Sequence, residues 1–301
     1  MKSVANLLAD VLNAEHCSLA LQDLAEQELR SLFNSYAFHG FNPNNHGDLL
    51  AIGDQIIKIL HGSPLAAKVI GSLLNSRMDL LYWRRILSHG SLINSEQGKD
   101  IMDVLKLSYF NLPTNLKVCF RFCSIFPLDY LFNKKELIEM WITSGFIWQH
   151  SCQEERLEDI GEDYFNHLLR KSIFEPWGKK RYVMHDLIHE MARNVSNGEC
   201  FRVVQNDKSI AIPSSARHVS VHETEIQKVS HLENICSLVI TTKKQTSTDL
   251  NVFVLPNNLI KKNLRLLKIY GHYSCKLPDE ICCLVHLRYL SIELRNVHQS
   301  F

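Results

Sequence analysis

The sequence predicts a mainly α chain in three parts: a helical bundle, a winged-helix segment, and the start of an α/β leucine-rich-repeat solenoid. Three observations lead there. Apolar residues recur at threes and fours through the first ninety positions. A Gly-containing hairpin pattern, SIFEPWGKKRYVMHD, then interrupts the helices. Beyond residue 213, leucines fall into a Leu-x-x-Leu-x-Leu frame. The expected boundaries are 1–95 for the bundle, 96–200 for the winged helix and 213–301 for the incomplete repeats.

In the first part, LQDLAEQELRSLFNSYAF places Leu21, Leu24, Ala25, Leu29, Leu32 and Phe33 on one helical face, and GFNPNNHGD breaks it. A second helix is predicted from Asp48 to Leu60. Gly62 suits the left-handed terminus after it, and Pro64 suits the first position of a short apolar helix, Leu65 to Leu74. In the second part, Pro113 starts a helix whose buried stripe is Leu116, Cys119, Phe120 and Cys123, and Pro127 ends it. Asn133 reads as the N-cap of the next helix. Glu136 sits three residues on, Leu137, Ile138, Trp141 and Ile142 point inward, and Gly145 closes the helix. A further helix fits Glu154 to Arg170. The hairpin follows, and then a helix burying Ile188, Met191, Ala192 and Val195. In the third part the frames are Ile235, Leu238, Ile240; Leu264, Leu267, Ile269; and Leu287, Leu290, Ile292. The last two lie twenty-three residues apart, with KLPDEICCL as the convex half between them. A repeat array ending at Phe301 without a polar closing repeat is expected to expose its last apolar face.

Composition narrows the function. The 301 residues are 46% hydrophobic, with Lys+Arg 33 against Asp+Glu 32, so no net field draws in nucleic acid or an anionic membrane. The nine cysteines form no framework, no secretory leader pattern opens the chain, and no run is apolar enough for a membrane span. A cytoplasmic protein is expected.

The decisive stretch is RYVMHDLIHEMARNV, where His185 and His189 lie about one helical turn apart. A zinc pair would need a third ligand, which the sequence does not nominate. His189 borders the apolar stripe and reads as a core-boundary residue. His185 falls at a strand-to-helix junction, where free backbone amides and the helix dipole favour an anion and an imidazole can donate to phosphate. Lys179, Lys180 and Arg181 occupy the expected wing. In the preceding helix, however, Lys134 and Lys135 are balanced by Glu136 and Glu139, so nucleic-acid binding is the lesser alternative. Cys119 and Cys123 lie in a buried stripe, and Cys282 and Cys283 fall in a repeat; neither pair has a zinc or redox partner. No nucleophile and base pair up, so an enzyme is not expected.

With these residues in view, the chain resembles plant nucleotide-binding, leucine-rich-repeat disease-resistance proteins. LQDLAEQELRSLFNSYAF looks like a motif of their first helical subdomain, and GSPLA (62–66) is similar to Gly-Leu-Pro-Leu-Ala with Ser63 replacing Leu. LKLSYFNLPTNLKVCFRFCSIFP (105–127) resembles the motif opening the winged helix, and VMHD (183–186) its Met-His-Asp motif. The resemblance implies that His185 contacts the β-phosphate of ADP, that Asp186 stabilises the adjoining turn, and that Pro64, with Leu65 beside it, packs on the adenine. It also implies an ADP/ATP-controlled immune switch, with pathogen effectors, guarded host proteins or other receptors meeting the repeats. The phosphate loop Gly-x-x-x-x-Gly-Lys-Ser/Thr does not occur in these residues. The expectation is therefore a chain without the phosphate-binding subdomain, binding ADP weakly or not at all alone, with an adaptor or decoy role as a further alternative.

Overall fold

The computed structural model describes residues 24–89, 101–149, 155–203 and 211–242, and parts of 251–295 (251–252, 255–256, 259, 263–272, 275–276 and 279–295). Leu21, Glu154 and the expected 95/96 boundary lie outside the described residues. The chain divides into two compact units, Met1–Ile101 and Met102–Phe301.

The first unit holds helices α1 (Glu26–Ala37), α2 (Gly47–Ile59), α3 (Pro64–Asn75) and α4 (Leu80–Leu87). Helix α1 starts later than its periodicity predicts, because Ala25 is its exposed N-cap and only Leu29, Phe33 and Ala37 are buried. At the turn into α3, Gly62 adopts φ +75° and the preceding His61 also takes a positive φ. The Ser63 hydroxyl accepts from the Ala66 amide at 3.3 Å, and Pro64 takes the first helical position. Helices α1 and α3 meet closely at Gly71, where a Cβ would come within 2.9 Å of Tyr36 Cβ and 3.0 Å of the Phe33 carbonyl. Phe33 and Trp83, both 0% exposed, cross edge-to-face in the core.

The second unit takes in α5 (Ile101–Phe110) from Met102 onward and α6 (Thr114–Phe122), which passes into a 3-10 turn at Cys123–Ile125. Then come strand β1 (Phe132–Asn133), α7 (Lys134–Ser144), α8 (Leu157–Arg170), the hairpin β2 (Glu175–Trp177) and β3 (Arg181–Val183), and α9 (Asp186–Asn194). The three strands form an antiparallel sheet in the order β1-β3-β2, and Gly178 (φ +63°) turns the hairpin. Buried rings of Phe122, Phe126, Phe132, Phe174 and Phe165 touch in sequence and hold the helices to this sheet. Three details differ from expectation. Phe122 joins the buried stripe of α6. Met140 is buried in α7, whereas Ile142 is half-buried. Helix α8 starts at Leu157, closing against α7 at Gly161, where a Cβ would collide with the Ile138 side chain.

Beyond the winged helix, strands β4 (Cys200–Arg202), β5 (His218–His222), β6 (Ser237–Thr241), β8 (Leu266–His272) and β10 (Tyr289–Arg295) form a parallel sheet ordered β10-β8-β6-β5-β4. Strands β7 (Asn251–Val252) and β9 (Cys275–Lys276) pair separately. The leucine frames coincide with the register: Leu238 lies opposite Leu267, and Leu267 opposite Leu290. The 23-residue step is thus the offset between adjacent strands, Leu266 facing Tyr289, while the preceding step, Ser237 to Leu266, is 29. A further frame went unread in the sequence, because Ala216, Val219 and Val221 stand where leucine was sought. All three are fully buried, and Val219 and Val221 face Leu238 and Ile240. Of the last frame, Leu290 and Ile292 are exposed, while Leu287 packs partly buried against the core of the sheet.

The winged helix and this sheet are joined by buried polar contacts. Lys268, 0% exposed, pairs with Glu136 of α7 and with Glu293 of β10 at 2.7 Å, and the Tyr289 hydroxyl donates to Glu136 at 3.1 Å. Glu136 therefore completes only half of the predicted capping box: its amide donates to Asn133 Oδ1, while its carboxylate leaves the helix end for the lysine. Burial pulls the Lys268 ammonium down, and hydrogen bonds to the two carboxylates more than offset this, leaving its pKa raised. Nearby, His218 packs edge-on against Phe122 and Phe146 and shares a hydrogen bond with Ser237 at 2.9 Å. Burial lowers its pKa to about 3, so it is neutral in the fold.

Two outcomes follow. Lys268→Met should lower the stability of the second unit by about 3 kcal/mol, because it leaves the Glu136 carboxylate uncompensated at a buried junction, and adding Glu136→Gln should recover much of that loss. Denaturant melts of the four proteins in this cycle measure it. For His218, the unfolded chain takes up a proton near the ordinary 6.5, whereas the folded chain resists until about 3. Stability should therefore fall as pH drops through that window, by up to about 1.4 kcal/mol per pH unit for this group. His218→Gln should flatten the slope measured by melts at stepped pH.

Candidate functional site

His185 is the N-cap of α9, with extended backbone (φ −61°, ψ 145°) as it leaves β3. Its Nδ1 accepts the Leu187 amide at 3.2 Å, satisfying one of the free donors of the first helical turn. That bond fixes the neutral tautomer, since an accepting Nδ1 leaves the proton on Nε2. The half-buried ring thus carries its remaining N–H donor at the amide-rich end of a helix, and among the described residues Nε2 has no partner. Asp186 is the first helical residue and is exposed, its charge complementing the helix dipole.

His189, one turn on, has a different task. It is 3% exposed, and its Nε2 lies 2.8 Å from the Phe126 carbonyl, to which it donates. Burial lowers its pKa, partly opposed by that bond. The two imidazoles therefore do not form a pair: one caps a helix and the other anchors it to the turn after α6. Among the described residues no group of three or more His, Cys, Asp or Glu side chains converges as a metal site. Cys119 and Cys123 are fully buried free thiols, both pushed up by burial, and Cys282 and Cys283 are exposed and free.

In the first unit, Pro64 is exposed at the start of α3, while Leu65 is 7% exposed and contributes to the core. A pyrrolidine ring open to solvent offers a small apolar face to a ligand. These two residues and the His185-Asp186 pair belong to different units. Sequence reading missed the Lys268 cluster, although a lysine inside the apolar run LRLLKI was its available signal.

Replacing His185 by Ala should cost about 1 kcal/mol by removing the cap, while His185→Ser, which can accept the same amide, should keep most of it. Thermal melts distinguish this from a ring that only packs, for which both changes would cost alike.

Residues 125–192 match the family model for the disease resistance protein winged helix domain. Disease resistance protein RGA2 of Solanum bulbocastanum is 34% identical over 58% of this chain and 18% of its own length. Disease resistance protein RPM1 of Arabidopsis thaliana is 29% identical over 87% of this chain and 29% of its own. Another Arabidopsis thaliana relative named for disease resistance is 30% identical over 92% of this chain and 20% of its own. The chain spans about a fifth to a quarter of the length of the first such relatives, 20%, 26% and 25%. No helix among the described residues is long and apolar enough to cross a membrane. With its winged helix matched directly and nearly its whole length alignable to such relatives, the chain belongs to the plant disease-resistance protein family.

Proposed function

We propose that this chain is the nucleotide-sensing and repeat-bearing part of a cytoplasmic plant immune receptor, acting as a switch and not as an enzyme. The observation that carries the reading is the His185 ring, whose Nδ1 is held by the Leu187 amide so that Nε2–H is left to donate. Such a donor at a helix N-terminus fits a phosphate of ADP, whose negative charge the α9 dipole also favours. Pro64, exposed at the start of its helix, fits a contact with the adenine face, with Leu65 as its buried support. Asp186 holds the helix start. The bound diphosphate would supply a negative charge that is present or altered according to nucleotide state; these residues bind it and orient toward it.

Magnitudes limit the role of the histidine. A charged hydrogen bond contributes roughly 1.5 to 3 kcal/mol, whereas reversing a 1:99 population takes about 5.5 kcal/mol. His185 biases such a switch and cannot drive it alone. The coincidence of leucine frames with strand register supports reading the parallel sheet as leucine-rich repeats. An effector, a guarded host protein or another receptor would meet that array.

An NMR titration of labelled histidine side chains tests the proposal. Millimolar ADP should move the His185 Nε2 resonance while adenosine does not, and His189 should stay still. Equal shifts with both ligands, or none with ADP, would overturn the phosphate contact. The affinity should be weak, and a submicromolar Kd by calorimetry would contradict the expectation.

A further inference from the structure

Helix α7, the start of α8 and the wing enclose a groove of about 990 Å³ that has no part in the nucleotide reading. Its floor includes Ile138 and Tyr182, and its walls are charged. Most of those charges are already matched. Lys134 pairs with Glu162 and stacks its ammonium on Phe165, Lys135 reaches Glu139 at 3.9 Å, and Arg156 binds Asp159 at 2.9 Å. Lys179 and Lys180 are different. Both are exposed at the tip of the wing, and among the described residues neither makes a hydrogen bond or ion pair. The adjacent Arg181 faces away, toward the Leu131 carbonyl at 3.5 Å. The groove therefore carries an unmatched positive rim over an interior whose charges, among the described residues, are paired except at Glu158.

We propose that this groove is a docking site for an acidic, extended polypeptide segment of a partner protein, with its carboxylates on Lys179 and Lys180. Charge complementarity selects the occupant. Glu139, Glu158 and Glu162 line the same groove as the cations. A nucleic-acid duplex, with about one charge per 1.7 Å of axis, would bring an unbroken row of phosphates to a groove that also holds those carboxylates. A polypeptide spaces its acids by side-chain choice, and its backbone N–H groups can donate to the glutamates between them. The hairpin that carries the lysines turns at Gly178 and pairs Trp177 with Arg181.

Fluorescence anisotropy with the full chain and a labelled oligo-glutamate peptide tests the assignment, with a Gly/Ser peptide of equal length and a short DNA duplex as competitors. The acidic peptide should bind, more weakly as salt rises, and Lys179→Glu with Lys180→Glu should weaken it about tenfold or more. The same pair changed to Gln should give a smaller loss. Lys58→Glu, an exposed lysine in the first unit, should have no effect. Melting temperatures of the wing variants should match the parent, since neither lysine has a partner to lose. Equal binding of both peptides, undiminished binding to the double Glu variant, or preference for the duplex would overturn the proposal.

Discussion

A single buried ammonium sets the relation between the winged helix and the parallel sheet. Removing a lysine from water is costly, and the cost is met only when carboxylates reach it with good geometry. Lys268 has two, one from α7 and one from the neighbouring strand β10, while Tyr289 donates to the first of them. Apolar packing alone would tolerate sliding between helix and sheet; a buried charge does not, because any displacement that lengthens these contacts leaves an ion unpaired. The neutral His218, seated between Phe122 and Phe146, and the Arg121–Glu199 pair at 2.9 Å reinforce the same junction from other sides. The consequence for function is positional. Helix α7 forms one wall of the wing groove and also contacts the sheet through Glu136, so the two surfaces are held in one frame.

The candidate phosphate contact depends on a smaller constraint. Two histidines four residues apart look equivalent on a helical wheel, yet their environments assign them different chemistry. His189 is drawn into the core by a carbonyl that needs a donor, and burial keeps it neutral. His185, at the helix end, is needed as an acceptor by an amide that has no intrahelical partner, and this leaves its other nitrogen as the donor. A polar helix end thus both demands and orients the imidazole. The winged helix of this family supplies the surrounding scaffold.

The basic wing stands beside a groove of mixed charge. Its lysines are present, but the lysines of the helix beside it are paired, Lys134 with Glu162 and Lys135 with Glu139, and glutamates line the intervening groove.

Much of this architecture was legible in the chain, for identifiable reasons. Caps and terminators are local, so Pro64, Asn133, Gly145 and the Gly178 turn could be read directly. The apolar strands were legible where leucine and isoleucine recur at paired positions, and one was missed where alanine and valine stand instead, at Ala216, Val219 and Val221. The placement of His185 at a helix start was also a local matter. Tertiary structure alone decided the rest: that Glu136 would turn from its own helix end to a lysine 132 residues away, that His189 would meet the Phe126 carbonyl, and that Phe122 would enter the core. These depend on distant segments arriving at the same place, and a charged or aromatic side chain takes its role from what surrounds it.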